Sequence, residues 1–525
     1  MAGGWGVFAV YVDDRIVSVM AEGRTSKAVH NVVAAFIELL AVVVSGLVIP
    51  RLIIVHYGSA CNGLIASIAK FVSLISVLNV GISGAARAQL YGPLSRGDRG
   101  EIAEVVCTME HTYRRIGFAL LIYMMTLTVL YPFGLFSEYD FWFTASLIAI
   151  VSITSFARYF VGAPYVVLLY SDQKHSVVSY NRAAVQIVAS VAVIIFILKG
   201  YPIQAVKLVN SVIVALGTVA LCYIARKRYG LSPAVLKAAR GSAPKGIPGR
   251  RHSIAQGISD YVNSNVDVVL LSLFMTVTDV AVYAVYAAVV SCCVKVIENV
   301  ISSFGAAFGN MYAKGEFDAM RENIKIYELI VFSLSSAIFA TALVMIVPFV
   351  DVYTSGVVDA DYHQPLFAVI YVLATMFLCF RFPYETVLKA AGHFKQTKPG
   401  AYVEAGLNLV LSVAGVLLWG LPGVVLGTLV SAIVRTVEMA GYFGKHLIER
   451  HFSHFLLHVA LALAICASVW LLIGSRLDGI NSWSSWILAA GMVFGVSIAL
   501  TLAVAWLFYR EDCKRLLWKL LQKRT

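Results

Sequence analysis

Of 525 residues, 60% are hydrophobic and only 13% are charged, and the mean hydropathy is +0.82. A soluble domain cannot hide that much apolar surface, so the bilayer is the expected solvent for most of the chain. The formal net charge of +12 would suit nucleic acid, but the placement of the cations along the chain argues against that partner.

In chain order, residues 1–27 carry Asp13, Asp14, Arg15, Glu22, Arg24 and Lys27, with apolar runs too short for a secretory leader. They read as a cytoplasmic tail. Apolar stretches of bilayer-spanning length follow at 29–49, 64–83, 115–136, 141–163, 177–198, 203–224, 254–275, 280–308, 327–350, 365–388, 400–419, 422–443, 454–474 and 484–509. Strand-like alternation is absent, which argues against a β-barrel. The expected fold is thus an all-α polytopic membrane protein of about fourteen spans. With the N-terminus inside, the basic clusters Arg96, Arg99, Arg114, Arg115; Arg226–Arg228; Lys389, Lys395, Lys398; and Lys514, Arg515, Lys519, Lys523, Arg524 all fall on the inner side. Only Arg51, Lys199, Lys207 and Arg476 fall outside. This is the positive-inside pattern. It predicts both termini in the cytoplasm, and the basic inner face suits anionic lipids; the expected location is a bacterial inner membrane.

Residues 226–252, basic and rich in Pro and Gly, read as a cytoplasmic linker between a six-helix lobe at 28–225 and a second at 253–450. Helices 13 and 14 (451–510) and a basic tail (511–525) complete the chain. A short repeat supports two lobes. Ser83-Gly84-Ala85-Ala86 through Tyr91, followed by Arg96-Gly97-Asp98, matches Phe304-Gly305-Ala306-Ala307 through Tyr312, followed by Lys314-Gly315-Glu316. Both copies point the same way, which implies a parallel repeat. The eight cysteines form no C-x-x-C and no Cys/His cluster at metal spacing, so neither a disulfide nor a metal is expected.

Polar residues inside the spans form stripes at helical spacing, and charges there are costly unless they face a partner or a wet cavity. The stripes are Asn31, Glu38 and Ser45 on span 1; Ser67, Lys70 and Ser73 on span 2; Asp260, Asn263 and Asp267, beside Asn265, on span 7; Ser291, Lys295, Glu298 and Ser302 on span 8; and Glu404, Asn408 and Ser412 on span 11. Spans 1, 2, 7 and 8 hold corresponding places in the two lobes, so a polar passage between the lobes is expected. Arg381 with Glu385, and Arg435 with Glu438, lie at i+4 and i+3 and can neutralise each other on one helix. Arg158 has no such local partner; a phosphate or a neighbouring carboxylate would suit it equally. Hard cations prefer oxygen ligands and a buried carboxylate can carry a proton, so Asp260, Asp267, Glu404 and Asn408 are candidates for Na+ or H+ coupling. No nucleotide-binding G-x-x-x-x-G-K-[ST] motif is present.

Several segments resemble one family. They are Tyr57-Gly58 with Asn62-Gly63-Leu64-Ile65-Ala66-Ser67, Leu90-Tyr91-Gly92-Pro93-Leu94, Tyr113-Arg114-Arg115-Ile116-Gly117, Asp267-Val268-Val269-Leu270, Pro348 to Thr354 and Asp361-Tyr362. Arg381-Phe382-Pro383-Tyr384, Ala390 to Thr397, Glu404, Asn408, Gly427-Thr428 and Arg435 complete the set. Over most of 27–450 the chain resembles the O-antigen and capsule polysaccharide flippases of the MOP (multidrug/oligosaccharidyl-lipid/polysaccharide) transporter superfamily. The resemblance implies a two-lobed flippase, not an enzyme, that moves a polyprenyl-diphosphate-linked oligosaccharide by alternating access. Membrane lipids and polysaccharide-assembly proteins would be its partners. Lys70, Lys295 and Arg158 would suit the diphosphate, and Asn31, Glu38, Asn263, Asn265 and Glu298 the sugar. Competing readings are a lipid-II-type flippase, a cation-coupled multidrug antiporter, which two buried lysines would oppose, and a membrane sugar polymerase or ligase, for which no outer loop is long enough.

Overall fold

The computed structural model describes residues 22–74, 77–134, 139–241, 265–301, 304–474 and 479–522. These are helical with short connections, and no strand occurs among them. In chain order the helices are α1 (Glu22–Tyr57), α2 (Ser59–Ser73), α3 (Val77–Arg96), α4 (Arg99–Gly134), α5 (Phe141–Ala157), α6 (Ala163–Ser171), α7 (His175–Leu198), α8 (Ile203–Tyr229), α9 (Pro233–Ala239) and α10 (Asn265–Phe274). They continue with α11 (Val277–Ile301), α12 (Phe304–Lys314), α13 (Phe317–Tyr353), α14 (Pro365–Phe380), α15 (Phe382–Ala390), α16 (Phe394–Trp419), α17 (Leu421–Phe443), α18 (Ser453–Ile473), α19 (Trp483–Phe508) and α20 (Arg510–Gln522).

Twelve helices among the described residues are long and apolar enough to cross a membrane. They correspond to twelve of the fourteen expected spans. The other two are span 2, divided between α2 and α3, and span 7, of which α10 is the described part. The apolar faces that a soluble protein would bury are open here. On α19, Ile487, Leu488, Leu502 and Leu507 are all more than 60% exposed, as expected of side chains solvated by lipid tails.

Local sequence explains where the helices break. The two repeat copies end in the same way: Gly97 (φ 69°) and Gly315 (φ 71°) both adopt the left-handed conformation. Asp98 N then donates to Pro93 O, and Glu316 N to Met311 O. Glycine takes that conformation without a Cβ penalty, and each turn launches a long helix, α4 or α13. The span holding Arg158 is interrupted by a π turn over Arg158–Gly162, just before Pro164. That holding Arg381 breaks between α14 and α15, just before Pro383. Proline removes an N–H donor and crowds the preceding turn.

By internal contacts the chain divides into two compact units, one within Met20–Ala284 and one within Val285–Thr525. The division falls inside α11; of the expected linker at 226–252, residues 242–252 lie outside the described residues. In the first unit α1 lies along α7, and α5 and α7 pack on α8. In the second, α16 and α17 form the tightest pair. A Cβ on Gly415 would sit 2.2 Å from Gly423 O, one on Gly423 2.0 Å from Gly415 O, and one on Gly427 2.4 Å from Ser412 Oγ. Bare backbone at these positions lets two helices meet at a distance no side chain permits. The appended α18 and α19 pack on α13.

Candidate functional site

In the first unit, α2, α4, α10 and α11 bring polar side chains together inside an apolar surround. Lys70 Nζ donates to Asn265 Oδ1 at 2.9 Å, and Asp267, 5% exposed, is the carboxylate whose charge acts on Lys70. Tyr283 OH donates to Asp267 Oδ2 at 3.1 Å. One turn before Lys70, the buried Ser67 hydroxyl meets Ser272 Oγ and accepts from Tyr131 OH at 2.8 Å. The spacing that put Ser67 and Lys70 on one face of span 2 thus meets Asn265 and Asp267 across the fold. The backbones approach closely where α2 meets α11, since a Cβ on Gly63 would overlap Val277 O. Asp260 and Asn263 lie outside the described residues.

The stripe on span 1 takes a different place. Asn31 Nδ2 donates to Gln173 O at 3.1 Å and Asn31 Oδ1 accepts from Ser176 N at 2.8 Å. Glu38 Oε1 faces Arg182 Nη1 at 3.5 Å, and Ser45 Oγ accepts from Gln186 Nε2 at 2.7 Å. The seven-residue repeat of polar side chains is therefore met, contact by contact, by α7 and the turn before it. Each polar group is satisfied across a helix seam, as membrane helices require.

In the second unit, Lys295 is half-buried and Glu298 exposed on α11, and neither makes a hydrogen bond or ion pair with a described residue. Arg158, in the first unit, is likewise exposed without an ion pair among the described residues. The dominant feature of the second unit is a chain of six ionised side chains. Lys389 Nζ lies 2.6 Å from Glu385 Oε1, and Glu385 Oε2 3.3 Å from Arg381 Nε. Arg381 Nη1 lies 2.6 Å from Glu404 Oε1, and Glu404 Oε2 3.6 Å from Arg435 Nε. Arg435 also pairs with Glu438. Three cations alternate with three carboxylates, so the row is neutral overall. Gly400 leaves room for it, because a Cβ there would lie 2.1 Å from Arg435 Nη1. The two local pairs expected from i+4 and i+3 spacing form, and Glu404 joins them. With a guanidinium on each side, this carboxylate has its charge compensated within the protein. One turn further along α16, Asn408 Nδ2 donates to Thr428 Oγ1 (3.2 Å) and Ser431 Oγ (3.3 Å), while its buried Oδ1 has no hydrogen-bond partner among the described residues. Asp267 belongs to the first unit, and Glu404 and Asn408 to the second.

No family model matches the chain, and no curated protein does. Solved structures match it along most of its length. A lipid II flippase, MurJ, in its inward closed conformation is 14% identical, covers 91% of this chain and 98% of its own, and superposes with a TM-score of 0.63. The eukaryotic MATE transporter AtDTX14 is 14% identical over 82% of this chain and 97% of its own, with a TM-score of 0.56. An inward-facing MATE multidrug transporter of the MOP superfamily is 12% identical over 82% and 95%, with a TM-score of 0.51. This chain has the fold of these solved structures. At these identities the likeness concerns the path of the backbone.

Within that fold several participants were not singled out from the sequence. Tyr131, Ser272 and Tyr283 complete the Lys70 group, and Arg182 and Gln186 close the seam of α1. Glu328, fully buried, pairs with Arg450 at 2.6 Å in the second unit. Arg450 lies in the loop before α18, and its guanidinium is held charged by Glu328 against the cost of burial. The only advance signal for Glu328 was an acidic residue inside an apolar stretch, with its partner more than a hundred residues away.

Proposed function

We propose that the protein is a transporter that carries a polyprenyl-diphosphate-linked glycan from the cytoplasmic to the outer leaflet of a bacterial inner membrane. The observation that carries this reading is Lys70. An uncompensated charge at mid-bilayer costs about 2.5–3.5 kcal/mol, and here the Lys70 amine donates to an amide, Asn265, with a carboxylate, Asp267, close by. That arrangement keeps a cation inside the membrane for a phosphate oxygen, with amide and hydroxyl groups close by for a sugar. The similar fold of a lipid II flippase, matched over 98% of its own length, supports a lipid-linked substrate. Lys295, Glu298, Asn263 and Arg158 are proposed as further substrate contacts; Asn31 and Glu38 are proposed to act from the seam of α1.

Both termini are proposed to be cytoplasmic, on the strength of the basic segments between spans. Energy is proposed to come from Na+ or H+. Asn408 Oδ1 is the best-placed acceptor in the second unit and Asp267 in the first, whereas a cation at Glu404 would meet Arg381 and Arg435. Lipid II itself remains a substrate of the same chemistry. A multidrug antiporter for cations would have to admit positive charge beside Lys70.

The test is depletion of the protein followed by lipid analysis of the two leaflets. Polyprenyl-linked glycan should accumulate on the cytoplasmic side and be cleared by the wild-type protein but not by Lys70→Met. Drug hypersensitivity without such accumulation would overturn the reading in favour of an antiporter.

A further inference from the structure

The first unit holds a second cation, away from Lys70, whose surroundings suit an anion. Arg87 lies in the first copy of the repeat, on α3, and is half-buried. No described carboxylate pairs with it, and its buried Nε has no hydrogen-bond partner among the described residues. The guanidinium is fixed from below, with Cζ 5.2 Å from the centre of the Tyr170 ring, which in turn stacks on His175 at 4.6 Å. The Tyr113 hydroxyl lies in the field of Arg87, and its ring is 6.4 Å from that of Tyr159. Tyr159 is only 2% exposed, yet its hydroxyl has no hydrogen-bond partner among the described residues. Arg158, the exposed arginine beside it, acts on the same hydroxyl.

The neighbouring carboxylates are already engaged. Asp172 is paired with Lys174 and accepts from Tyr229 OH; Glu110 is paired with Arg226 and Arg240 and accepts from Tyr165 OH. His175 is also the first residue of α7, so the positive end of a 24-residue helix lies in the same region, although one of its first N–H groups, Ser176 N, is taken by Asn31 Oδ1.

We infer that Arg87, Tyr159, Tyr113 and the start of α7 form a binding site for a phosphate oxyanion carried on a lipid. A stacked guanidinium offers a planar fork that matches phosphate, which an ammonium cannot reproduce. The buried Tyr159 hydroxyl and Arg87 Nε are donors with no acceptor among the described residues, and a phosphate oxygen would complete them. The phosphate could belong to a phospholipid headgroup or to a prenyl diphosphate; the chemistry of recognition is shared. The inference is independent of the transport reading, because binding is measured without transport.

The test uses the full-length protein in nanodiscs of phosphatidylcholine, to which phosphatidylglycerol or geranylgeranyl diphosphate is added, with bound lipid counted by native mass spectrometry. Wild type should retain phosphate lipid over the neutral-zwitterionic background. Arg87→Gln should weaken retention about tenfold and Arg87→Lys by an intermediate factor, since the fork is lost while the charge remains. Tyr159→Phe, which removes one oxygen and spares the packing, should weaken it about threefold. Preference for phosphatidylglycerol assigns the site to a membrane lipid, and preference for the diphosphate assigns it to capture of a prenyl-linked substrate; either supports the site. Equal retention by wild type, Arg87→Gln and Tyr159→Phe would overturn it, and if Arg87→Gln fails to fold, Tyr159→Phe decides alone.

Discussion

Substitution of Glu404 by Gln tests whether the six-charge row of the second unit is one coupled object. The Glu404 side chain is 5% exposed and that of Arg435 3%, so neither charge can be handed to water when its partner is lost. Removing one member of a buried pair costs about 3–5 kcal/mol when the survivor is left alone. Here Arg381 keeps Glu385 and Arg435 keeps Glu438, so Glu404→Gln should fall at or below the lower end, about 2–3 kcal/mol. Arg435→Gln should cost as much or more, because it orphans part of Glu404 and of Glu438. The double variant restores neutrality at the Glu404–Arg435 junction. Its loss should therefore be smaller than the sum of the single losses by about 1.5–3 kcal/mol. The assay is reversible unfolding in mixed micelles with increasing SDS, followed by tryptophan fluorescence. Additivity of the two single losses to within about 0.5 kcal/mol would refute the coupled row and leave two separate local pairs.

Other substitutions address packing, pairing and reactivity. Gly423→Val should destabilise the second unit by about 1–3 kcal/mol or prevent folding, read as loss of monodisperse protein after extraction, because its Cβ would start 2.0 Å from Gly415 O. At the seam of α1, Glu38→Arg with Arg182→Glu should restore what either change alone removes, a difference of less than about 1 kcal/mol for so exposed a pair. If Glu38 instead contacts substrate, the swap recovers stability but not activity. Cys513, at the start of α20, has its thiol pushed above the ordinary range by burial. Maleimide should label it slowly at neutral pH and faster as pH rises, because the thiolate is the reactive form; rapid labelling at pH 7 would contradict its burial.

The helices were the legible part. Length and apolar content gave the twelve long spans found among the described residues, since a bilayer requires about 20 such residues in a row. Gly97 and Gly315 marked the two repeat copies because a left-handed helix end needs glycine whatever surrounds it. Local pairs such as Arg381–Glu385 could also be read, because i+4 spacing places both groups on one face. The link from Glu404 to Arg435 could not, since it depends on how closely α16 approaches α17, which Gly415, Gly423 and Gly427 decide. The stripe Asn31, Glu38 and Ser45 shows the same limit. Its periodicity identifies a polar face, but only the packing of α7 says that another helix, rather than an open cavity, receives it. Lys70 lies between these cases: its cost in a membrane announced a role, while Asn265 and Asp267 as its neighbours came from the fold.

The most direct measurement is flipping by the purified protein in proteoliposomes, using a fluorescent polyprenyl-diphosphate oligosaccharide and a membrane-impermeant quencher. Wild type should expose the labelled head to the quencher faster than empty vesicles, Lys70→Met should fall to the rate of empty vesicles, and Lys70→Arg should retain part of the activity. Wild-type and Lys70→Met proteins that flip the lipid at equal rates, or a wild type no faster than empty vesicles, would contradict the assignment of Lys70 to the diphosphate and of this chain to lipid-linked glycan transport.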